Sequence, residues 1–97
     1  MGAGVRITFP STVADLLRRL HPDLKKKIRA GFEVIRDDPH AGKELKDELA
    51  GLRSLRVGRH RIIYKLGKNE RIEIVTVGSR ESIYEETYRL VRKQEHR

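Results

Sequence analysis

The segment Leu52–Tyr64 of this chain reads LRSLRVGRHRIIY and decides which fold the sequence can adopt. Apolar and polar residues alternate on both sides of Gly58–Arg59, which is the pattern of two strands that each bury one face. A glycine at the first position of a two-residue loop permits the type II′ turn that joins antiparallel strands. The predicted β-hairpin sets three pairs of residues opposite each other: Val57 and His60, Arg56 and Arg61, and Leu55 and Ile62.

Pleating sends alternate side chains of this hairpin to opposite faces of the sheet. One predicted face carries Leu55, Val57, His60, Ile62 and Tyr64. The other face carries Arg56, Arg61, Ile63 and Lys65. The first face is therefore expected in the core, with His60 as a structural residue, and the second face is predicted to be basic.

Arg56 and Arg61 lie directly opposite each other in the predicted pairing. Like charges at such a position repel by up to about 1 kcal/mol, and an anion bound between them relieves the repulsion. The planar fork of arginine suits a phosphate group and stays protonated at any relevant pH. The pair thus indicates a phosphate-binding surface, or alternatively a solvated sheet face whose charges prevent aggregation.

Two further segments are predicted to be strands, and one is predicted to be a loop. Residues Ile72–Thr76 alternate in the same way after Gly67–Asn69, so the sequence predicts a meander of three antiparallel strands. Near the start of the chain, Val5–Phe9 also alternates and ends at Pro10, which predicts a first strand. The segment His40–Gly51 has no clear period and is predicted to be a connecting loop.

Helical periodicity predicts three helices. Thr12 with Asp15 resembles the capped start of the first, Pro22 suits the first position of the second, and Ser82 with Glu85 fits a capping box for the third. Their apolar positions are Val13, Leu16, Leu17 and Leu20, then Leu24, Ile28, Phe32 and Ile35, then Ile83, Tyr84, Thr87, Leu90 and Val91. The predicted order is β-α-α-β-β-β-α. This is a single α+β domain over residues 1–97, with a helical hairpin packed on one face of a small antiparallel sheet.

Composition limits the classes of function. Lys and Arg total 22 against 14 Asp and Glu, and the net charge of +8 predicts a polyanionic or acidic partner. The chain has no cysteine, which excludes disulfides, thiolate chemistry and cysteine-ligated metals, and its four histidines show no ligand spacing. We therefore expect neither a metal nor a cofactor. No apolar stretch approaches the about 20 residues of a membrane span and no signal peptide is recognised, so a cytoplasmic protein is expected.

Basic and phenolic side chains form the candidate site. Arg80 follows the last predicted strand, where it can lie beside the central strand, and Tyr84 comes one helical turn later. Together with Arg61, these residues would bind phosphate, stabilise transition-state charge and transfer a proton. Lys25 and Lys26 of the second helix could contact a nucleic-acid backbone or form a solvated charged face.

Three runs of the chain are distinctive: DPHAGKEL at Asp38–Leu45, the hairpin segment Leu52–Tyr64, and VGSR at Val77–Arg80 with Tyr84 nearby. They resemble the RelE/ParE superfamily of toxins from bacterial and archaeal toxin–antitoxin systems. The most specific part is LRVGxxRIIY, and the resemblance extends from the opening strand to about Tyr84. It implies a RelE/ParE-like fold and a cognate antitoxin, which the net charge predicts to be acidic and to wrap the basic face or the helical hairpin.

The resemblance also implies an activity. RelE-like members are ribonucleases that enter the ribosomal A site and cut messenger RNA, where the 2′-OH of the RNA attacks the adjacent phosphate without a metal. By position, Arg61, Arg80 and Tyr84 of this chain match the catalytic residues, and Arg56 matches a recurring basic residue.

The chain departs from RelE at two positions of the second strand. RelE carries two lysines there, whereas an ungapped alignment places Leu52 and Ser54 at these positions, with the basic Arg53 between them as a phosphate contact. If these lysines supply the base or acid in RelE, this chain must use other groups, cut more slowly or not cut RNA at all. The last alternative is a ParE-like poison of DNA gyrase without nuclease activity, and a further alternative is a noncatalytic basic RNA-binding module.

Overall fold

A computed structural model describes residues 6–95 of the chain. Its elements, in chain order, are β1 (Arg6–Thr8), α1 (Ser11–Arg19), α2 (Pro22–Asp37), β2 (Lys43–Glu44), a single 3-10 turn (Asp47–Leu49), β3 (Leu52–Val57), β4 (His60–Leu66), β5 (Arg71–Ser79) and α3 (Ile83–Glu95). The predicted α+β class is confirmed, and the seven predicted elements occur in the predicted order, with β2 and the 3-10 turn as additional elements. Val5, which the sequence assigns to the first strand, lies outside the described residues.

The strands form one five-stranded sheet in the order β1-β5-β4-β3-β2. The prediction of an antiparallel sheet is wrong for one pair, because β1 runs parallel to β5 with Ile7 opposite Ile72. The other three pairs are antiparallel. Alternation of apolar residues predicts that a segment is a strand but leaves the direction of a distant partner open, so this pairing could not be predicted from β1 itself.

The β3–β4 hairpin has the predicted register. Val57 lies opposite His60 and Arg56 lies opposite Arg61. Gly58 has a φ of 60°. Glycine adopts this backbone conformation without steric cost, whereas it is unfavourable for residues that have a β-carbon. The turn therefore fixes which residues of the two strands face each other.

Helices α1 and α2 cover one face of the sheet, as predicted. Their buried residues Val13, Ile28 and Ile35 form one core cluster with Ile62 and Tyr64. The two layers are close at Gly31 of α2, where an added β-carbon would lie 2.7 Å from Ile62 Cδ1. A side chain at residue 31 would hold the helix away from the sheet. Among residues 6–95, no helix has the length and apolar character needed to cross a bilayer.

Capping differs from the prediction at two helices. Helix α1 begins at Ser11 after Pro10, without a side-chain cap, so that Thr12 lies inside the helix. The Ser82 hydroxyl lies 2.9 Å from the Ser79 hydroxyl, and the Glu85 carboxylate accepts a hydrogen bond from Arg89. The predicted capping boxes therefore do not form, since these polar groups have other partners within reach.

The segment predicted to be a loop is more ordered than its sequence pattern indicates. It contains the short β2, which pairs with β3, and the single 3-10 turn. The buried Tyr64 hydroxyl accepts a hydrogen bond from Gly42 N–H (2.9 Å) and donates one to the Pro39 carbonyl (2.7 Å). These contacts come from a distant strand, so no local periodicity could reveal them.

We expect Tyr64→Phe to lower the free energy of unfolding by about 1–3 kcal/mol, because it leaves the buried Gly42 N–H without its acceptor. Urea unfolding followed by circular dichroism measures the change. Tyr88→Phe is the matched control, since Tyr88 is 37% exposed. Equal unfolding midpoints for the two variants would contradict the assigned role of the Tyr64 hydroxyl.

Helix α3 packs on the opposite face of the sheet from α1 and α2. Ile83 contacts a second cluster formed with Leu52 and Ile63, and all three are buried. Thr87 is also buried and donates its hydroxyl hydrogen bond to the Ile83 carbonyl (2.7 Å). The second face is therefore not basic throughout, because α3 covers an apolar part around Ile63 that separates Arg56 and Arg61 near the β3–β4 turn from Lys65.

Candidate functional site

Arg61 is the centre of a polar cluster on the second face. It is half-buried on β4, and its Nη1 donates a hydrogen bond to Ser54 Oγ on β3 at 3.4 Å. Its Cζ lies 5.7 Å from the centre of the Tyr84 ring, within the range of a cation–π contact. Its Nε is buried and has no hydrogen-bond partner. The guanidinium is thus held on one side and unsatisfied on another.

Tyr84 reaches this cluster from the first turn of α3. Its hydroxyl donates to Ser54 Oγ at 3.4 Å, while 37% of the residue remains exposed. Ser54 itself is 2% exposed. A single buried hydroxyl therefore joins the side chains of two different elements, and we call these three residues the Arg61–Ser54–Tyr84 cluster.

Gly78 allows α3 to approach the sheet at this point. It lies opposite Arg61 in the β4–β5 pairing. A β-carbon on Gly78 would lie 2.9 Å from both Ile83 Cδ1 and Glu86 Oε2, closer than real β-carbons come to other atoms. The absence of a side chain on β5 thus lets the first turn of α3 rest against the strand and brings Tyr84 beside Arg61.

Two of the predicted arginines lie near the cluster at the turn end of the sheet. Arg56 lies opposite Arg61, is exposed, and donates from Nε to the Gly58 carbonyl (3.4 Å). Arg80 is exposed, and its backbone N–H bonds to the Arg59 carbonyl (2.8 Å), which continues the β4–β5 pairing beyond Ser79. Among the side chains that the structure describes, which are those of residues 6–93, no carboxylate forms an ion pair with Arg56, Arg61 or Arg80. Their positive charges are available to an anionic ligand.

Arg53 lies apart from the cluster. It is paired with Tyr64 and adjacent to Ser54 in the strand, so its side chain leaves the opposite face of the sheet. Its Nε donates to the Gly42 carbonyl (3.1 Å), its Nη2 donates to the His40 carbonyl (3.3 Å), and its Nη1 lies 3.5 Å from Glu44 Oε1. These contacts assign Arg53 to holding the segment before β3.

The three predicted lysines are also separated from the cluster. Lys65 shares its face but lies beyond Ile63 along β4, opposite Glu73. Lys25 and Lys26 belong to α2, on the other side of the sheet. Within the part of the chain that the structure describes, no three His, Asp or Glu side chains converge as ligands for a metal ion.

Ser54 and Gly78 belong to the site but were not predicted from the sequence. The available signal for Ser54 was its alternation with Arg56 on one face of β3, where a small polar residue follows the apolar Leu52. The signal for Gly78 was its position directly before the arginine-containing end of the strand. Neither signal shows a contact with α3, because the path of the chain after Ser79 is set by packing.

Comparison with known families adds an independent observation to this geometry. The family model described as the ParE toxin of type II toxin–antitoxin systems, parDE, matches residues 11–84. The chain belongs to this toxin family. The resemblance to the RelE/ParE superfamily is thereby confirmed, and the protein is a toxin of the type II class. No curated protein matches the toxin by sequence.

Solved structures of related proteins share the fold of this toxin. The RelBE2 toxin–antitoxin complex of Mycobacterium tuberculosis contains a chain that is 27% identical, with a TM-score of 0.71 over 80% of this toxin and 100% of that chain. A chain of the YoeB–YefM complex of Staphylococcus aureus is 26% identical, with a TM-score of 0.61 over 77% and 95%. The isolated RelE toxin of E. coli is 14% identical, with a TM-score of 0.67 over 90% and 98%.

Proposed function

We propose that this toxin is an endoribonuclease that cleaves messenger RNA in the ribosomal A site without a metal ion. The observation that carries the proposal is the Arg61–Ser54–Tyr84 cluster, in which a half-buried arginine retains an unpaired N–H beside a phenol. The resemblance to RelE-like nucleases supports the same residues by position. Arg80 and Arg56 extend the positive surface around them.

Arg61 would bind the phosphate that is attacked. A buried N–H without a partner costs about 1–3 kcal/mol, and an acceptor oxygen from a ligand recovers that cost. The Tyr84 ring lies beside the guanidinium and is partly exposed, so the cluster borders solvent. Negative charge grows on the phosphoryl oxygens in the transition state, and a fixed guanidinium stabilises it more than the ground state.

Tyr84 would transfer a proton in this reaction. The 2′-oxygen forms a bond to phosphorus, the bond from phosphorus to the 5′-oxygen breaks, and the products are a 2′,3′-cyclic phosphate and a 5′-hydroxyl. One proton leaves the 2′-OH and one is gained by the 5′-oxygen. The Tyr84 hydroxyl belongs to the same cluster as Arg61, which supports this phenol as the group for one of these transfers.

The proposed partners follow from charge. The net charge of +8 and the unpaired arginines favour RNA and the ribosome as targets. As a type II toxin, the protein has a cognate antitoxin, which we propose to be acidic. An acidic chain would lie over the positive surface around Arg56, Arg61 and Arg80 and compete there with RNA.

Primer extension on a defined messenger RNA tests the proposed activity. Purified toxin is incubated with the RNA in the presence and absence of translating ribosomes. We expect cuts only when ribosomes are present. If the toxin arrests growth but produces no cuts in either condition, the nuclease proposal is overturned.

A second candidate function is inhibition of DNA gyrase. Two observations favour it: the matching family model describes ParE toxins, and the two positions that carry lysines in RelE hold the buried Leu52 and Ser54. A gyrase poison would act through its surface and would not need the Arg61–Ser54–Tyr84 cluster. A supercoiling assay with purified gyrase, using an Arg61→Ala variant, separates the two candidates.

We expect Tyr84→Phe to reduce cleavage about 100-fold, near the lower end of general acid–base contributions, with little change in ribosome binding. The phenylalanine ring keeps the contact with Arg61 and loses only the proton-transferring hydroxyl. Tyr88→Phe is the matched control, because Tyr88 lies one turn later on α3 and has the same exposed fraction. Equal cleavage rates for the two variants would remove Tyr84 from the mechanism.

A further inference from the structure

We infer that Ser54 is a positioning residue, which orients both Arg61 and Tyr84 toward one bound phosphate group. The inference rests on the proposed function, because it concerns the same site. It adds a residue to that site, and it explains how the cluster is held without a lysine on β3.

The hydrogen bonds of Ser54 differ from those of an ordinary buried serine. Most side-chain hydroxyls in proteins bond to the backbone or to water. The Ser54 hydroxyl is buried, and within the described chain its side-chain contacts are the hydrogen bonds that it accepts from Arg61 Nη1 and the Tyr84 hydroxyl. A hydroxyl oxygen has two acceptor sites, so each site serves one residue of the cluster.

Neither Arg61 nor Tyr84 has another side-chain hydrogen bond to the described side chains of residues 6–93. Arginine has several rotatable bonds, and the Tyr84 hydroxyl is attached to a partly exposed ring. Without Ser54, both groups would sample many positions relative to a ligand. The two 3.4 Å contacts are long for hydrogen bonds, as in many unliganded sites that tighten when the ligand binds.

The contact at Nη1 also determines which edge of the guanidinium remains free. The N–H groups of Nε and Nη2 point the same way along one edge of the planar group. Nη1 lies on the opposite side of the group, next to Cδ. Because Ser54 binds Nη1, Nη2 and the buried Nε are the donors left for two parallel hydrogen bonds to a phosphate that enters the cluster. Ser54 therefore directs Arg61 to present a two-point contact.

The test compares Ser54→Ala with wild type in ribosome-dependent cleavage, measuring kcat and KM separately. Misplacement of a catalytic group by about 1 Å costs about 100-fold in rate. We expect kcat to fall by about that factor while KM stays nearly constant, and we expect Ser54→Thr, which keeps the hydroxyl, to recover most of the rate. Ser11→Ala, on the exposed start of α1, is the control and should leave both constants unchanged.

A double-mutant cycle covers the case in which threonine does not fit the buried site. If Ser54 acts through Tyr84, then Ser54→Ala should lower kcat much less in the Tyr84→Phe background than in wild type. Independent, multiplicative losses in the two backgrounds would overturn the inference. So would a wild-type kcat for Ser54→Ala in a toxin that does cleave RNA.

One readout does not depend on activity. The Arg61 Nε–H signal in the NMR spectrum of the free toxin reports how tightly the guanidinium is held. We expect Ser54→Ala to speed exchange of this proton with water and Ser54→Thr to restore its protection. An unchanged signal in Ser54→Ala overturns the inference, whereas a changed signal in a toxin that cuts no RNA supports the positioning role and overturns only the proposed function.

Discussion

Arg61→Ala is expected to reduce messenger-RNA cleavage by about 10³-fold and to abolish growth arrest. Loss of one transition-state hydrogen-bond donor costs about 10²–10³ in kcat, and this substitution removes a charge together with all donors of the guanidinium. The fold should survive, because Arg61 is half-buried, contributes to neither apolar core cluster, and leaves behind the Ser54 hydroxyl as a former hydrogen-bond partner and the partly exposed Tyr84 ring.

Arg18→Ala is the matched control for this variant. Arg18 is 73% exposed on α1, and its replacement removes the same charge at a distance from the second face of the sheet. Cleavage is measured by primer extension, growth arrest is measured at equal expression, and circular dichroism verifies the fold. An Arg61→Ala variant that still arrests growth as wild type does would show that the toxin does not act through this cluster.

Ile62→Ala is expected to lower the free energy of unfolding by about 2–5 kcal/mol through the cavity that it leaves. Ile62 is 0% exposed and lies in the core cluster beneath α2, where Gly31 brings the helix against its Cδ1 atom. Since small domains have only about 5–15 kcal/mol of stability in total, a large fraction of the protein should unfold at moderate urea concentrations.

The control for Ile62→Ala is Val34→Ala. It also truncates an apolar side chain, but Val34 lies on α2 and is 46% exposed. Urea unfolding midpoints of the two variants and wild type give the comparison. A shift for Ile62→Ala that is no larger than the shift for Val34→Ala would mean that this cluster is not the main core.

The β3–β4 hairpin could be predicted in detail because its determinants are local. Alternation defined the two strands, Gly58 permitted the turn, and together they fixed the register that places Arg56 opposite Arg61. The helices were likewise predictable from their apolar periods. Their caps were less so, because Ser82 and Glu85 each have more than one polar group within reach.

Features that depend on distant contacts could not be predicted. The parallel pairing of β1 with β5 joins residues far apart in the chain, and the order of the Pro39–Gly42 segment depends on the hydroxyl of Tyr64. Arg53 is of the residue type that binds phosphate, yet its guanidinium bonds to two backbone carbonyls and forms an ion pair with Glu44. Residue type alone could not distinguish these two uses of an arginine.

The candidate site was predictable in part. Pleating placed Arg61 on the second face, the positions of Arg80 after the last strand and of Tyr84 one helical turn later predicted that they approach it, and the resemblance matched all three. The structure brings Tyr84 to Arg61 and leaves Arg80 exposed at the strand end. The junction at Ser54 depends on the close approach of α3 over Gly78, which is a property of the packed molecule.

The position of β5 between β1 and β4 sets an order of events during synthesis of the toxin. Ile7 emerges early but finds its partner Ile72 only after most of the domain has been translated. Such long-range pairing is slow to form because a long loop must close first. Tyr84 follows later still, so a nascent chain that stops before residue 84 carries Arg61 and Ser54 without the phenol that completes their cluster. We therefore expect the proposed cleavage activity to begin only once α3 has docked.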